Sequence, residues 1–240
     1  MRQGRQPIPT LGADLAFPDV ESADESGLLA VGGDLRPERL IAAYRHGIFP
    51  WPAVGWPLLW HAPDPRFVIV PGKLHVNRSL AKQMKKSPFD VRMDTAFGQV
   101  IRSCAAVPRP DQDGTWILPD VVAAYEALHH MGVAHSIESW DNDTLVGGLY
   151  GVAIGRAFFG ESMFALAPNA SKVAFATLVR QLAAWGFWVV DCQIETPLLR
   201  SFGGEFLPRR VFTPLVARAV AEPDRPGPWH FDAAFLAGGA

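Results

Sequence analysis

The residues with the clearest chemical potential lie where a predicted strand ends. The apolar stretch 187–193 predicts a buried strand, and Asp191 and Gln193 are two positions apart at its end. Side chains two apart on a strand point to the same face. Because Thr196-Pro197 cannot continue a central strand, this acid and this amide are expected at a sheet edge, where catalytic groups often lie. A polar strand end that simply meets solvent is the alternative.

A second candidate is an acid inside an otherwise apolar strand. Gly160 directly precedes Glu161, a pattern that predicts a β-bulge which re-aims the carboxylate. A buried or half-buried carboxylate needs a partner, because an unpaired charge away from water is costly. An apolar pocket beside it, or ordinary core, could be formed by Phe158, Phe159, Met163 and Phe164.

Cations and tryptophans suggest a nucleic-acid partner more strongly than the overall charge of −2 does. Six cations fall within 21 positions: Arg66, Lys73, Arg78, Lys82, Lys85 and Lys86. They could neutralise phosphates or form an ordinary solvated helix face. Four tryptophans lie in predicted loops or loop edges and could stack on bases, although packing explains some of them equally well; they are Trp51, Trp56, Trp60 and Trp116.

Composition and missing motifs exclude several function classes. The chain has no CxxC pair, no HExxH and no GxxxxGK[ST] loop, which argues against a transition metal and against ATP hydrolysis. Its two cysteines, Cys104 and Cys192, are too few for a disulfide framework. No apolar run approaches the roughly 20 residues of a membrane span, and the polar, basic start at residues 1–10 does not resemble a secretory signal. A cytoplasmic protein without a membrane partner is expected.

The helices and strands that must position these residues are predicted from apolar periodicity and from the capping, Gly and Pro residues that bound each element. Helices are predicted within 33–47, over about 77–86, from Asp120 (as N-cap) to Gly132, and over about 169–185. Strands are predicted at 66–70, 134–140, 145–154, 156–164 and 187–193. An antiparallel meander, then a helix, then another strand indicates an α+β fold with a mixed sheet. We place a boundary near residue 66, with a small, loop-rich N-terminal domain (1–66) and a main domain (67–240).

Eleven segments occur together in an order that is specific to one family. The chain resembles the leucyl/phenylalanyl-tRNA–protein transferase family over about residues 17–215. The segments that carry the resemblance are 27–35, 47–51, 63–66, 96–101, 115–117, 134–138, 145–151, 160–164, 169–172, 191–193 and 208–210. A single segment would be a weak signal, whereas the ordered set is highly specific.

The resemblance implies a main domain with the acetyltransferase-like (GNAT) fold, and an aminoacyltransferase that needs neither metal, ATP nor other cofactor. Such an enzyme moves Leu, Phe and sometimes Met from aminoacyl-tRNA to proteins whose N-terminal residue is Arg or Lys, which marks them for degradation. The ester is already activated, and an α-amine with a pKa of about 7.7–8.0 needs only a modest proton acceptor. We expect a monomer.

The resemblance also implies roles for particular residues. Asp191 and Gln193 would relay a proton or position the amine, with Glu161 as their electrostatic neighbour; because an amide is a very poor base, we favour orientation for Gln193. Trp51 and Trp116 would hold the terminal adenosine, and the six cations would follow the acceptor stem. The donor side chain would enter an apolar pocket formed by Leu149, Phe158, Met163, Leu178, Leu182 and Val190.

Two departures and two alternatives complete the prediction. Leu198 stands where the family usually carries a histidine, and the chain beyond about residue 221 has no usable match. An acetyl-CoA-dependent acyltransferase of the same fold would need a glycine-containing loop to cradle pyrophosphate, but residues 165–170 contain no glycine. A non-catalytic tRNA-binding module is the second alternative.

Overall fold

The computed structural model describes residues 7–86, 89–108, 114–233 and 235. Its first part contains a small sheet with the order β1-β2-β4-β3, in which β1 runs parallel to β2 and the other pairs are antiparallel. The strands are β1 (Thr10–Leu11), β2 (Leu28–Gly32), β3 (Phe49–Pro50) and β4 (Leu59–His61). Helix α1 (Pro37–Arg45) connects β2 to β3. This part is rich in loops, as predicted, but the loops connect a four-stranded sheet that the sequence did not predict.

A seven-stranded sheet with the order β11-β5-β10-β9-β8-β7-β6 forms the larger part. All neighbouring strands are antiparallel except β9 and β10, which are parallel. The strands are β5 (Arg66–Ile69), β6 (Asp90–Met93), β7 (Ala134–Asp141), β8 (Thr144–Ile154), β9 (Ala157–Ala165), β10 (Val189–Asp191) and β11 (Glu205–Leu207). The predicted meander β7-β8-β9 and the mixed character of the sheet are confirmed.

Helices cover both faces of the large sheet. They are α2 (Arg78–Lys85), α3 (Phe97–Ala106), α4 (Pro119–His130), α5 (Ala170–Ala184), α6 (Pro197–Ser201) and α7 (Arg209–Ala219), with short 3₁₀ turns at Val20–Ser22 and Pro71–Lys73. One core joins the first part of the chain, α3, α4 and α7 to one face, while α2 and α5 pack on the other. Strand β8 shows the alternation expected of such a sheet, because Tyr150 and Val152 face the first core and Leu149 and Ala153 the second.

Some element boundaries differ from the sequence prediction, because they depend on the helix cap and on where a strand ends. Helix α4 begins at Pro119, so Leu118 is the N-cap and Asp120 lies in the first turn. Strand β10 has three residues and stops at Asp191. Helices α3 and α7 and strands β6 and β11 were not predicted.

Within the described residues, no helix is both long and apolar enough to cross a bilayer.

Candidate active site

The parallel pair β9–β10 separates and opens a crevice in the middle of the large sheet. The two strands pair from Val189 opposite Ala157 up to Asp191 opposite Phe159. Beyond that point β10 ends while β9 continues to Ala165 beside β8. A crevice at the carboxyl end of parallel strands is a common position for functional groups, and all three predicted catalytic residues lie around it.

Glu161 is the extra residue of a β-bulge, as the sequence predicted. Tyr150 pairs with Ser162 and Gly151 pairs with Gly160, so Glu161 has no partner on β8. An ideal Cβ on Gly151 would lie 2.3 Å from the Phe159 carbonyl oxygen, which explains why glycine occupies this tight crossing. The bulge turns the Glu161 carboxylate out of the ladder and into the crevice.

Three donors hold the Glu161 carboxylate. Its Oε1 accepts from Tyr44 Oη and from Gln193 Nε2, both at 2.8 Å, and its Oε2 accepts from Tyr125 Oη at 3.1 Å. The pKa of Glu161 is raised to about 7: burial raises it most and the nearby Asp191 carboxylate adds to this, while the three hydrogen bonds lower it. Glu161 can therefore gain or lose a proton close to neutral pH.

Gln193 occupies a strained turn rather than the end of a strand. Its φ is +63°, and the Ile194 amide donates to the Cys192 carbonyl at 2.7 Å, which closes a three-residue turn around it. The expectation that Asp191 and Gln193 lie on one strand face was wrong, because the strand has already ended. The turn instead brings the Gln193 amide to Glu161, and it leaves the amide oxygen as the atom that can accept from an incoming amine.

Asp191 lies deeper and is 1% exposed. Its Oδ1 accepts from the Gln193 backbone amide at 2.8 Å, and its Oδ2 is 3.7 Å from Arg66 Nη1. Burial raises the pKa of Asp191, while Arg66 and the Gln193 amide lower it. Asp191 is therefore not part of the cavity lining; it lies behind Gln193 and holds the turn that carries it.

A mostly apolar cavity of about 450 Å³ opens onto these groups. It lies between β3 of the small sheet and the crevice of the large one, which is the size and position of a small-molecule site. Its lining includes Glu161 and Gln193. The apolar and aromatic part of the lining comprises Phe49, Trp51, Trp116, Leu149, Met163, Phe175, Val190, Ile194, Leu198 and Leu199.

Three of the six residues predicted to form the side-chain pocket line the cavity, and the other three lie in the core. Leu149, Met163 and Val190 line the cavity. Phe158, Leu178 and Leu182 are fully buried in the core on the α5 side and are not part of the lining. The sequence does not distinguish a core residue from a pocket residue, because both give the same apolar periodicity. In the structure, the β-bulge determines which β9 residues face the cavity.

Some residues that contact Glu161 or line the cavity were not predicted. Tyr44 and Tyr125 come from helices α1 and α4, far from Glu161 in sequence, and no local pattern links them to it. Leu198, which the sequence had already placed beside the site, and Leu199, which it had not, reach the cavity from α6; this helix begins at Pro197 with the Thr196 hydroxyl as its N-cap acceptor. A polar N-cap next to Pro was the one available signal for that helix.

Five of the six predicted phosphate-binding cations are exposed, and they are Lys73, Arg78, Lys82, Lys85 and Lys86. Four of them lie on helix α2 or at its C-cap. The prediction for Arg66 was wrong, because its side chain is 1% exposed and pairs with Asp191. As the first residue of β5 it alternates with Phe67 and points into the interior.

Among the described residues, no group of three or more His, Cys, Asp and Glu side chains is arranged to hold a metal ion.

Comparisons with known proteins identify the family. A model described as leucyl/phenylalanyl-tRNA protein transferase matches residues 68–217, and one for the N-terminal domain of the same family matches residues 33–64. Proteins named leucyl/phenylalanyl-tRNA–protein transferase are similar along most of their length. The one from Myxococcus xanthus is 59% identical over 89% of this chain and 91% of its own. The one from Nitrosomonas europaea is 53% identical over 94% and 96%.

Solved structures add little to this comparison. One titled "The structure of L-PGS from Bacillus licheniformis" aligns with a TM-score of 0.40 and 8% identity over 73% of this chain and 67% of that chain. A likeness that weak carries no argument. The two family models and the relatives suffice: the chain belongs to the leucyl/phenylalanyl-tRNA–protein transferase family.

Proposed function

We propose that this chain transfers Leu or Phe, and sometimes Met, from aminoacyl-tRNA to the α-amine of proteins that begin with Arg or Lys. The observation that carries the proposal is the meeting of an apolar cavity with Glu161 and Gln193, which Asp191 supports from behind, at the open end of β9 and β10. One substrate needs an apolar pocket for its side chain, and the other needs a group that receives a proton. The apolar pocket and the groups that can receive a proton lie within one crevice.

The donor amino acid fits the apolar part of the cavity. A branched or aromatic side chain there would contact Leu149, Met163 and Val190, and its ester carbonyl would lie toward Gln193. Trp51 and Trp116 line the same cavity, and indole faces stack well on a base. We assign them to the terminal adenosine.

The reaction needs both substrates to be positioned and one proton to pass from the amine to the leaving oxygen. The neutral α-amine attacks the ester carbonyl, a C–N bond forms, and the C–O bond to the tRNA breaks. The proton lost by the amine ends on the departing ribose oxygen. In this proposal the Gln193 amide oxygen orients the amine, and the Glu161 and Asp191 carboxylates, with Glu161 at a pKa of about 7, receive and return the proton. Holding both substrates in one crevice contributes much of the rate enhancement.

The remaining expectations belong to the same proposal. A meander followed by α5 and a parallel strand that separates from β9 supports assignment to an acetyltransferase-like (GNAT) fold. The chain passes from the small sheet to the large one between His61 and Arg66, which supports domains at 1–66 and 67–240. We propose a cytoplasmic monomer whose products enter regulated proteolysis.

The experiment that tests the function uses three arms. Purified protein is incubated with Phe-tRNA and an Arg-starting peptide, with Phe-tRNA and the same peptide acetylated at its N-terminus, and with acetyl-CoA and the free peptide. Transfer in the first arm alone supports the proposal. Transfer from acetyl-CoA instead would favour the rival acyltransferase, and tRNA binding without transfer in any arm would favour a non-catalytic binding module.

Truncating Met163 to Ala should change donor selection, because it enlarges the wall of the cavity. We expect the ratio of kcat/KM for Phe-tRNA to that for Leu-tRNA to rise about tenfold. Leu178→Ala is the matched control: Leu178 lies in the core beside the cavity, so it should lower the free energy of unfolding by about 2–5 kcal/mol and leave the ratio unchanged. A ratio that moves equally in both variants would contradict the lining described above.

Replacing Lys82, Lys85 and Lys86 by Ala should weaken tRNA binding and flatten its salt dependence. Three phosphate contacts fewer would lower the slope of log K against log salt concentration by about 2–3. Filter binding of charged tRNA at four salt concentrations measures both quantities, while the kcat at saturating tRNA should change little.

The control removes three exposed cations elsewhere. Arg36, Arg45 and Arg102 have side chains that are 42%, 42% and 61% exposed and pair with acids. Their triple Ala variant changes the net charge equally, so it should leave the salt slope near that of the wild type. Equal slopes in the two triple variants would mean that helix α2 is ordinary surface.

A further inference from the structure

Arg66 is a buried cation whose donors are mostly unused. Its side chain is 1% exposed. Within the described residues its Nη2 donates to the Gly47 carbonyl, while Nε and Nη1 are buried without a hydrogen-bond acceptor. A guanidinium carries five N–H donors, so this one is poorly solvated by the protein. Burial accordingly lowers the pKa of Arg66.

Such an arrangement is a weak source of stability. Desolvating two opposite charges costs roughly as much as their attraction returns, and a well-packed neutral pair is often as stable or more so. The Arg66–Asp191 pair is loose at 3.7 Å, so the attraction between the two charges offsets less of their desolvation cost. A role other than holding the fold together therefore fits the geometry better.

The surroundings of Arg66 join the two halves of the site. Its guanidinium lies 4.9 Å from the ring centroid of Phe49 and 4.6 Å from that of Phe212, and its hydrogen bond reaches Gly47, just before β3. Phe49 lines the cavity from the small sheet, and Gln193, whose backbone amide donates to Asp191, lines it from the large one. Arg66 thus contacts one side of the cavity directly through Phe49 and the other through Asp191.

Five other ionisable groups interact with this pair, and they are Glu161, Arg209, Tyr44, His61 and Cys192. Besides Asp191, the groups whose charges act on Arg66 are Glu161 on β9, Arg209 on α7 and Tyr44 on α1. Asp191 in turn acts on Glu161 and on the thiol of Cys192. Arg66 is the cation that directly opposes the burial of Asp191, and Arg209 lies near Arg66 with the same charge.

We propose that Arg66 is a positioning residue for the transfer reaction: it keeps Asp191 ionised inside the protein and holds the Gly47–Phe49 segment against the crevice. The inference rests on the proposed function, since it acts through Asp191. It replaces the assignment of Arg66 to tRNA binding with a role in which Arg66 touches neither substrate.

Three variants of the full-length protein test this role. Arg66→Met removes the charge and keeps much of the volume, Arg66→Lys keeps the charge, and Arg66→Met combined with Asp191→Asn leaves a neutral pair. Arg39→Met is the matched control, because Arg39 is an equally buried arginine that pairs with Asp34, and neither residue lines the cavity. Activity is measured as kcat/KM from pH 5.5 to 9 with Phe-tRNA and an Arg-starting peptide.

In Arg66→Met we expect the acidic limb of the pH profile to shift to higher pH by about one unit or more. The value of kcat/KM should fall at least about tenfold at pH 7 and recover in part at pH 9. Arg66→Lys should keep the limb near its wild-type position. Arg39→Met should unfold at a lower temperature without moving the limb. A limb that stays in place in Arg66→Met, with only thermal stability reduced, would overturn the proposal.

Unfolding separates a failure of this inference from a failure of the proposed function. In Arg66→Met the folded-state pKa of Asp191 lies further above its unfolded value, so stability falls as pH rises through that range. The double variant lacks the titrating group and should lose this slope, whatever the protein catalyses. A wild type that transfers nothing would refute the function alone, whereas identical slopes in single and double variants would refute the pairing itself.

Discussion

Replacing Asp191 by Asn is expected to lower kcat/KM for aminoacyl transfer by about 100-fold or more while charged-tRNA binding stays near that of the wild type. General acid–base groups typically contribute about 10²–10⁴ in rate. Asp191 holds the backbone amide of Gln193 and lies beside the Glu161 carboxylate, so the neutral amide removes the charge on which proton transfer depends. Asn is chosen over Ala because it keeps the buried volume beside Arg66.

The measurement is single-turnover transfer from Phe-tRNA together with equilibrium binding of the same tRNA. Asp94→Asn is the matched control, since Asp94 is another buried aspartate, bonded to His135, Ser136 and the Trp229 amide away from the crevice. That control should destabilise the fold with little loss of kcat. Parallel loss of binding and turnover in Asp191→Asn would assign Asp191 a structural role only.

Changing Glu161 to Gln is expected to abolish the acidic limb of the pH–rate profile. In the wild type kcat/KM should fall about tenfold per pH unit below about pH 7, because protonated Glu161 can no longer receive a proton or accept from Tyr44, Tyr125 and Gln193 together. Since Glu161 and Asp191 interact, the apparent value belongs to the pair. Glu161→Gln should be slow and nearly independent of pH over this interval.

The same substitution has a predicted effect on stability, and its sign is opposite to that of an ordinary ion-paired acid. The folded-state pKa is raised, so the contribution of Glu161 is present below about pH 4.5 and is lost as pH rises through about 7. Urea unfolding of wild type and Glu161→Gln should therefore show a difference that shifts by about 3 kcal/mol between pH 4.5 and 8.

Glu138→Gln is the control for both readouts. Glu138 is also buried with a raised pKa, which its bonds to Ser136 and Thr95 oppose, but it does not line the cavity. We expect a pH-dependent change in stability and no change in the pH–rate profile. A wild-type activity that is flat between pH 5.5 and 7.5 would contradict the role of Glu161.

The elements that could be predicted are those whose own apolar pattern is long enough to show which of their residues are buried. Strands β7, β8 and β9 and helix α5 carry long apolar patterns, and each of them is found. The small sheet was missed because β1 and β3 have only two residues each, too few for any periodicity. Helix α6 has only five residues, and its capping by Thr196 is visible only once the strand before it is known to end.

For the site, sequence reasoning found the groups but not their arrangement. The glycine before Glu161 was enough to predict the bulge, because a bulge is a local event. The partners of Glu161 come from α1 and α4, and the partner of Asp191 comes from β5; these contacts depend on how distant elements pack. Arg66 was mistaken for a surface cation for the same reason, since it is the first in a series of cations and the only one of them on the buried strand β5.

The most direct test is the product of the wild-type reaction. A peptide with a free N-terminal Arg and an internal Lys is incubated with Leu-tRNA and the protein, and the product is mapped by fragmentation mass spectrometry. We predict the gain of one leucyl residue on the α-amine, formed at a rate that falls by about 100-fold or more in Asp191→Asn. An unmodified peptide, leucine on the Lys side chain, or an Asp191→Asn variant as fast as the wild type would contradict transfer at this crevice.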